Sequence, residues 1–313
     1  MAASNWSTTS HSTFILLGVP GLEELHVWIS IAFCFAYIVS LVGNSLLLVV
    51  IKTEPSLHEP MYLFLAMLAF ADLIISTTAV PKILCIFWSR DRTIHIDACV
   101  AQMFLIHVIG SMESGFMLAM AFDRYVAICK PLRHSAILTN RTIAKIGLGI
   151  VIRATTLLSP YPFVLKLIPY CRTNVISHTY CEFMTLVKLA CVDATVISFY
   201  SLAIALVFGG LDLILIVLSY ILILRTVFSL PCKDAWRKSL STCSSHFFMV
   251  LVFYVPSAFS YLTNRFGQVA PYVRILMANL CLLFPPMMNP IIYGVGTPGI
   301  RQRALHILSI KPA

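Results

Sequence analysis

Residues Cys99 to Pro131 have the sequence CVAQMFLIHVIGSMESGFMLAMAFDRYVAICKP, which is mostly apolar and long enough to cross a bilayer. The stretch nevertheless carries Glu113 near its middle and Asp123 and Arg124 near its end. A charged side chain at membrane depth costs roughly 2.5–3.5 kcal/mol on insertion scales, so such residues are usually functional and face the protein interior. At about 100° per residue, Glu113 and Arg124 fall on nearly the same face of a helix.

A second polar face lies nearer the Cys99 end of the same predicted helix. Its members are His107, Gly110, Ser111 and Ser114. The stretch therefore predicts one helix with a polar pocket at its start, a buried carboxylate at its middle and a charged pair at its end.

The composition predicts a membrane protein. The chain has 313 residues, of which 59% are hydrophobic and 11% charged, and its mean hydropathy is +0.90. Soluble domains carry about 25% charged residues. A span needs about 20 apolar residues, and the stretches that qualify are Trp28–Ile51, Met61–Ile86, Cys99–Ala127, Thr142–Leu165, Val196–Phe228, Ser239–Leu262 and Tyr272–Val295. We expect an all-α fold, a seven-helix transmembrane bundle over residues 28–295.

The basic residues between the spans predict the orientation, because cytoplasmic loops carry an excess of Lys and Arg. The excess lies on the side of the C-terminus, at Lys52, Lys130, Arg133, Arg141, Lys145, Arg225, Lys233, Arg237, Lys238, Arg301, Arg303 and Lys311. We expect a multi-pass plasma-membrane protein with residues 1–27 outside and residues 296–313 in the cytoplasm. The net charge of +9 then indicates contact with anionic membrane lipids, and we expect no nucleic-acid partner.

Each tail carries one further signal. Residues 1–25 are polar, without the pattern of a removable signal peptide, and Asn5-Trp6-Ser7 is an N-glycosylation sequon that an outside N-terminus would expose. In the C-terminal segment, apolar residues recur at helical spacing opposite basic ones. They are Ile300, Ala304, Ile307 and Leu308, against Arg301, Gln302 and Arg303. This pattern predicts a short amphipathic helix on the inner leaflet.

Four motifs, in order along the chain, resemble those of odorant receptors, a branch of the rhodopsin-like G-protein-coupled receptors. The most specific is MAFDRYVAIC at Met120–Cys129. The others are LHEPMYLFL at 57–65, RKSLSTCSSH at 237–246 and PPMMNPIIYG at 285–294. Glu59 in LHEPMYLFL resembles the residue found at this position in the class I, or fish-like, subgroup. In the third motif, Ser239-Leu240 departs from the commoner Ala-Phe.

The resemblance implies a receptor for olfaction, with no catalytic activity, that binds a small odorant from outside. It implies a heterotrimeric G protein of the stimulatory olfactory type as the cytoplasmic partner. The residues implied in activation and coupling are Asp123, Arg124, Tyr125, Tyr220, Asn289, Pro290 and Tyr293. We expect Arg124 to change partner from Asp123 to Tyr220 or the G protein when the sixth span swings outward.

Two carboxylates at similar depth, Asp72 and Glu113, would repel each other unless a cation or a proton lies between them. The resemblance implies a sodium ion here, and sodium is the one cofactor we consider. The alternative is that each carboxylate is hydrogen-bonded to Asn44, Ser114 or Asn289. Of these, we expect Asn44 to pair with Asp72.

Four cysteines are expected on the oxidising outer side and can pair in three ways. They are Cys99, Cys171, Cys181 and Cys191. The resemblance favours Cys99–Cys181 and Cys171–Cys191. The ten cysteines of the chain have no metal-ligand spacing, so we expect no zinc site.

The predicted ligand site combines a stripe on the sixth span with the polar face of the third. The stripe is Tyr254, Ala258, Tyr261 and Arg265, and it faces His107, Gly110 and Ser111. An apolar site with one cation at its outer end suits a small aliphatic carboxylic acid, such as a fatty acid. Two alternatives remain: Arg265 could pair with Glu182 or Asp193, and His107 could be a hydrogen-bonded core residue.

A different class of protein, a transporter or ion channel, would use Asp72, Glu113 and Asp212 as an ion path. The chain has no internal repeat, which argues against a transporter built from duplicated halves. Arg153 in the fourth span has no obvious partner in the sequence.

Overall fold

A computed structural model describes residues 12–89, 91–170, 173–229, 233–266 and 269–309. Within these ranges, seven helical segments are long and apolar enough to cross a membrane, which confirms the predicted fold. We number them spans one to seven: Glu23–Thr53, Pro60–Trp88, Ile96–Cys129, Asn140–Leu167, Thr195–Phe228, Cys243–Thr263 and Pro271–Gly294. The helix of span six is longer than its apolar part and runs over Lys233–Phe266.

Two of the spans are irregular. Span four divides into Asn140–Leu158 and Pro160–Leu167, because Pro160 has no N–H to continue the helical hydrogen bonds. Span five consists of Thr195–Ala205 and Asp212–Phe228, joined by a π-helical turn at Leu206–Leu211. Turns of this kind occur frequently at functional sites in helices.

Span three lies at the centre of the bundle. Its buried side chains include Met103, Met117 and Met120, which belong to the same hydrophobic core as buried Phe64 and Leu68 of span two. The outward faces of the bundle are apolar but exposed, with large side chains such as Trp28, Phe35, Val196, Phe199, Phe248 and Val255. A surface this apolar around a central polar helix is the arrangement expected of a bundle surrounded by lipid.

The N-terminal segment forms part of a small sheet, which the sequence did not predict. Strand β1, Thr13–Leu16, pairs antiparallel with β2, Thr93–His95, and parallel with β3, Val175–Ile176. Phe14 and Leu16 of β1 are fully buried. The sheet covers one end of the bundle, which we call the N-terminal face; the opposite end is the C-terminal face.

A disulfide joins Cys99 to Cys181, as predicted, with 5.4 Å between the Cα atoms. It ties the loop after span four to the start of span three at the N-terminal face. Cys171, half of the second predicted pair, and the sequon residue Asn5 lie outside the described residues. The Cys171–Cys191 bond and the glycosylation of Asn5 therefore stay predictions.

The predicted C-terminal amphipathic helix is present at Pro298–Ser309. Ile300 is buried in the core of the bundle, and Ala304 and Ile307 pack against that core. Arg303 lies 3.5 Å from the carboxylate of Glu54, at the end of span one. The helix is thus fixed to the C-terminal face by its apolar side and by one ion pair.

Candidate ligand cavity and transmembrane polar network

A cavity of about 350 Å³ lies among spans three to six, below the loop helix Phe183–Leu189. It brings together four of the predicted ligand-binding residues: Arg265, Tyr261, His107 and Ser111. The other lining residues are Leu158, Tyr161, Glu182, Phe183, Met184, Lys188, Ser198, Ser201, Ile204, Ala205 and Phe208. Gly110, Tyr254 and Ala258 are not among the lining residues. The cavity therefore contains four of the seven predicted residues, on spans three and six, and has further walls from spans four and five and the loop, which were not predicted.

Arg265 lies at the end of the cavity toward the N-terminal face. Its Nη2 donates to the Ser198 carbonyl at 3.2 Å, and its Nη1 lies 3.4 Å from the Tyr261 hydroxyl. The two carboxylates considered as its partners have other contacts: Glu182 accepts hydrogen bonds from Thr185, and Asp193 accepts from the Thr195 backbone. Among the described residues, no carboxylate lies within ion-pair distance of Arg265. Its positive charge is therefore available to a ligand.

Glu182 is a cavity-lining acid whose role the sequence did not indicate. It caps the loop helix, because its Oε2 accepts from the Thr185 backbone N–H at 2.6 Å and lies 2.7 Å from the Thr185 hydroxyl. Burial raises the pKa of Glu182, but these hydrogen bonds and the nearby His178 and His107 outweigh it and lower the pKa. Glu182 is therefore ionised at neutral pH. A capping acid followed by Thr185 was the available signal in the sequence.

His107 is held in one orientation by its own helix. Its Nδ1 lies 2.8 Å from the Met103 carbonyl, which can only accept, so Nδ1 is the donor. In the neutral ring, Nε2 is then an acceptor. Tyr161 and Phe183 stack at 3.7 Å between ring centroids beside it and form an aromatic wall. His107 is thus hydrogen-bonded within span three, as one of the two alternatives expected, and it also lines the cavity, so its role in ligand binding stays a prediction.

Below the cavity, Ser114 of span three contacts spans five and six. Its hydroxyl lies 2.7 Å from the Tyr254 hydroxyl on span six and 2.9 Å from Asp212 Oδ2 on span five. It also lies 2.6 Å from the carbonyl of Phe208, a cavity residue in the π-helical turn. Tyr254 thus lies beneath the cavity floor, two turns inward of Tyr261 on the same helix.

Arg153, for which the sequence showed no partner, makes a two-pronged ion pair with Asp212. Nη1 donates to Oδ1 at 2.8 Å and Nη2 to Oδ2 at 2.7 Å. Asp212 is fully buried, and the Arg153 guanidinium carbon lies 4.8 Å from the Phe208 ring centroid. Both residues lie near the middle of their spans, and that shared depth was a signal that could have paired them.

Asp72 and Glu113 are neighbours in the middle of the bundle, as predicted. Asp72 Oδ2 accepts from Asn289 at 2.9 Å, one of the expected bonds. Asn44 instead donates to the carbonyls of Ser40 and Pro286, and so the structure does not show the predicted bond to Asp72. The described residues provide no hydrogen bond to Asp72 Oδ1 or Glu113 Oε1. They also contain no cluster of three or more His, Cys, Asp or Glu side chains that could hold a metal ion.

The remaining predicted residues lie toward the C-terminal face. Arg124 pairs with Asp123 at 2.7 Å, and Asp123 also lies 2.9 Å from His134 Nε2. Tyr220 is 2.7 Å from His246 Nδ1, and the described residues show no hydrogen bond between Tyr220 and Arg124. Tyr293 is fully buried, and a Cβ added to Gly43 would lie 2.7 Å from Pro290, so spans one and seven approach closely there.

Comparisons with known proteins agree with this geometry. The family model described as "Olfactory receptor" matches residues 33–311. Human olfactory receptor 52K2 is 52% identical over 312 residues, and human olfactory receptor 52K1 is 50% identical over 312 residues; each alignment covers 99% of both chains. The chain belongs to the olfactory receptor family. The relatives place this receptor in class I.

The fold of the receptor is that of rhodopsin. Squid rhodopsin superposes with a TM-score of 0.75 at 19% identity, over 98% of this chain and 89% of that one. The chain is therefore a G-protein-coupled receptor for odorants in the cell membrane, and it is neither an enzyme nor the transporter considered as the alternative. In this receptor, Arg124 pairs with Asp123, and the change of partner on activation stays a prediction.

Proposed function

We propose that this receptor recognises small aliphatic carboxylic acids, with Arg265 as the carboxylate anchor. The observation that carries the proposal is the position of Arg265. Its guanidinium opens into an otherwise largely apolar cavity and, within the described chain, has only the neutral oxygens of Tyr261 and Ser198 as partners. A planar guanidinium can hold a carboxylate by two parallel hydrogen bonds.

The walls of the cavity suit a short aliphatic chain. Tyr161, Phe183, Ile204 and Ala205 present apolar surface, and a volume of about 350 Å³ is near the lower end of the range for ligand cavities. Glu182 also lines the cavity, and its negative charge repels a carboxylate that Arg265 does not hold. The charge distribution thus orients the acid with its carboxylate toward the N-terminal face.

The receptor is oriented with the N-terminal face outside the cell. Three features support this orientation: the excess of Lys and Arg at the opposite face, the Cys99–Cys181 bond, which an oxidising compartment permits, and the sequon at Asn5. The C-terminal face, with Arg124 and the amphipathic helix, then meets the stimulatory olfactory-type G protein and the anionic inner leaflet.

Ligand binding is linked to span six through the cavity floor. Phe208 lines the cavity, and its carbonyl contacts Ser114, which contacts Tyr254. Tyr254 lies two residues before Pro256, where the helix lacks one backbone hydrogen bond and can bend. A ligand that packs differently in the two positions of span six shifts the population toward the active one.

The test compares Arg265→Ala with the wild type, with cAMP output and surface expression as readouts. A hydrogen bond to a charged group contributes about 1.5–3 kcal/mol, which corresponds to roughly ten- to a hundred-fold in potency. We expect aliphatic acids to lose that factor in Arg265→Ala. Arg265→Lys restores only part of it, because an ammonium keeps the charge without the planar fork.

The matching aliphatic alcohols provide the control, because they carry no charge for Arg265 to bind. They are expected to be poor agonists of the wild type and to be little affected by Arg265→Ala. If Arg265→Ala is expressed normally at the surface and keeps the acid potency of the wild type, the carboxylate is bound by His107 or Lys188 and not by Arg265. Equal losses for acids and alcohols would show that the substitution acts on folding or activation.

A further inference from the structure

We propose a second small-molecule site in this receptor, on the lipid-facing flank of spans three, four and five. Its ligand is a neutral, rigid, apolar molecule with one hydrogen-bond acceptor, which enters from the bilayer. The site is separate from the odorant cavity but shares the Arg153–Phe208 contact with it. The proposal does not depend on which odorant activates the receptor.

The site is a cavity of about 590 Å³, within the usual range for ligand cavities. It is lined by Gly115, Leu118, Ala119, Phe122, Tyr125, Ile146, Gly149, Ile150, Arg153, Leu215, Leu218, Ser219 and Leu222. None of these residues lines the odorant cavity. From Gly115 to Tyr125 the cavity follows ten residues of span three, roughly 15 Å, toward the C-terminal face.

The cavity opens sideways, toward the hydrocarbon of the membrane. Phe122, Leu215, Leu218 and Leu222 form its rim, and each has 39–49% of its surface exposed. Gly149 leaves space in the wall on span four, since a Cβ added there meets no described atom within 4 Å. A molecule dissolved in the bilayer therefore reaches the site without passing through the odorant cavity.

Arg153 gives the site its chemistry. Its side chain is 30% exposed, and Nη1 and Nη2 each use one N–H on Asp212 and keep a second. A hydrogen-bond donor that faces hydrocarbon is costly unless an acceptor covers it. Asp212 already balances the positive charge, so the fitting partner is a neutral carbonyl or hydroxyl and not an anion.

Conformational entropy favours a rigid molecule in this cavity over the acyl chains of the surrounding phospholipid. A flexible chain loses rotational freedom when it is ordered in a cavity, whereas a rigid skeleton loses little. Acyl chains also carry no acceptor at the depth of Arg153. A steroid-sized ketone meets both conditions.

Contacts link this site to the odorant cavity. The Arg153 guanidinium lies 4.8 Å from the ring of Phe208, which lines the odorant cavity. Through Asp212 and Ser114 it also reaches Tyr254 on span six. A ligand that holds Arg153 in place is thus positioned to change odorant potency, and any such coupling is reciprocal.

The test measures binding of tritiated androstanone, a steroid ketone, to the full-length receptor in phosphatidylcholine nanodiscs. We expect saturable binding that Gly149→Trp weakens at least tenfold, because the indole fills the cavity. Leu148→Trp is the matched control, since Leu148 is the neighbouring residue, is 60% exposed and does not line the cavity. Androstane, the hydrocarbon without the ketone, is expected to compete at least tenfold more weakly.

The outcomes separate the parts of the proposal. Binding that does not saturate, or that is equal in the wild type and Gly149→Trp, means that lipid chains or nothing specific occupy the cavity, and overturns the proposal. Equal competition by androstane overturns the role assigned to Arg153. Because no odorant is added, failure of the carboxylic-acid proposal leaves this measurement unaffected.

Discussion

The receptor buries carboxylates at two places in its bundle, and the two places differ in what compensates the charge. Asp212 is matched by the guanidinium of Arg153 at 2.7–2.8 Å and also contacts Ser114. Asp72 and Glu113 lie together, and Asp72 Oδ2 accepts a hydrogen bond from Asn289. The first site has its cation within the chain, while the second has none among the residues that the structure describes.

This difference indicates different roles. A buried ion pair with good geometry has its charges balanced within the chain and ties two helices together, here spans four and five. Two adjacent carboxylates without a cation repel each other, so the site must take up a proton or a cation from the solution. We therefore expect Asp212 to be structural and the Asp72–Glu113 pair to respond to the surroundings of the receptor.

The largest effect is expected from breaking the first site. Arg153→Ala leaves Asp212 buried and uncompensated, which typically costs 3–5 kcal/mol, so we expect most surface expression to be lost. The double variant Arg153→Met with Asp212→Leu removes both charges and should recover expression. Immunostaining of intact cells measures the surface expression of the single and the double variant. Normal expression of Arg153→Ala would mean that the ion pair is dispensable and that the two acid sites do not differ as described.

Much of this comparison could not be predicted from the sequence. The spans follow from runs of apolar residues, and their bounds agree with the structure within a few residues. The shared depth of Arg153 and Asp212 makes a contact between them possible, but depth alone does not predict the contact, because pairing also depends on the rotation of the two helices. The π-helical turn at Leu206–Leu211 lies directly before Asp212 and helps to set that rotation.

The N-terminal face shows the same limit. Strand β1 has only four residues, and its partners follow about 80 and 160 residues later in the chain. Such short, non-local pairings leave no periodic pattern to recognise. The Cys99–Cys181 bond was predicted by family resemblance, since the spacing of the cysteines allowed other pairings. In the candidate ligand cavity, Arg265 and Tyr261 of the predicted helical stripe are among the lining residues, whereas the walls from the loop depend on how it folds back.

An intermediate effect is expected at the second acid site. If Asp72 and Glu113 hold a sodium ion that favours the inactive state, raising sodium should weaken agonist potency, and couplings of this kind are typically about fivefold or more. Glu113→Gln should remove the sodium dependence. The sodium dependence of agonist potency can be measured as cAMP production in membrane preparations at constant ionic strength.

Asp97→Asn is the control for this measurement, because it removes an exposed acid from the start of the same helix. It should keep the sodium dependence of the wild type. A wild-type response that shifts with pH but not with sodium would indicate a shared proton. No dependence on either would mean that the pair is inert, and the contrast with Asp212 would be lost.

The smallest effect is expected from a buried base, which extends the comparison to the N-terminal face. Burial lowers the pKa of His178 to about 4, although the nearby Glu182 acts in the opposite direction and Arg274 in the same one. Its ring packs against Tyr180 at 4.3 Å between centroids. Like the Asp72–Glu113 pair, His178 is buried without a compensating ion pair among the described residues, so it is expected to remain neutral.

The sign of the pH dependence follows from the two pKa values. An unfolded histidine takes up its proton near pH 6.5, whereas folded His178 takes it up near pH 4, so acidification between these values favours the unfolded state. The contribution of neutral His178 to the free energy of unfolding is therefore fully present above about pH 6.5. It falls by at most about 1.4 kcal/mol per pH unit below that pH.

Thermal unfolding of the purified receptor at pH 7 and pH 5 should show this loss of stability, and His178→Asn should reduce the loss. The control is His95→Asn, which changes an exposed histidine of β2 and should leave the loss of stability at pH 5 as large as in the wild type. An equal loss in His178→Asn and the wild type would assign the acid sensitivity to other groups.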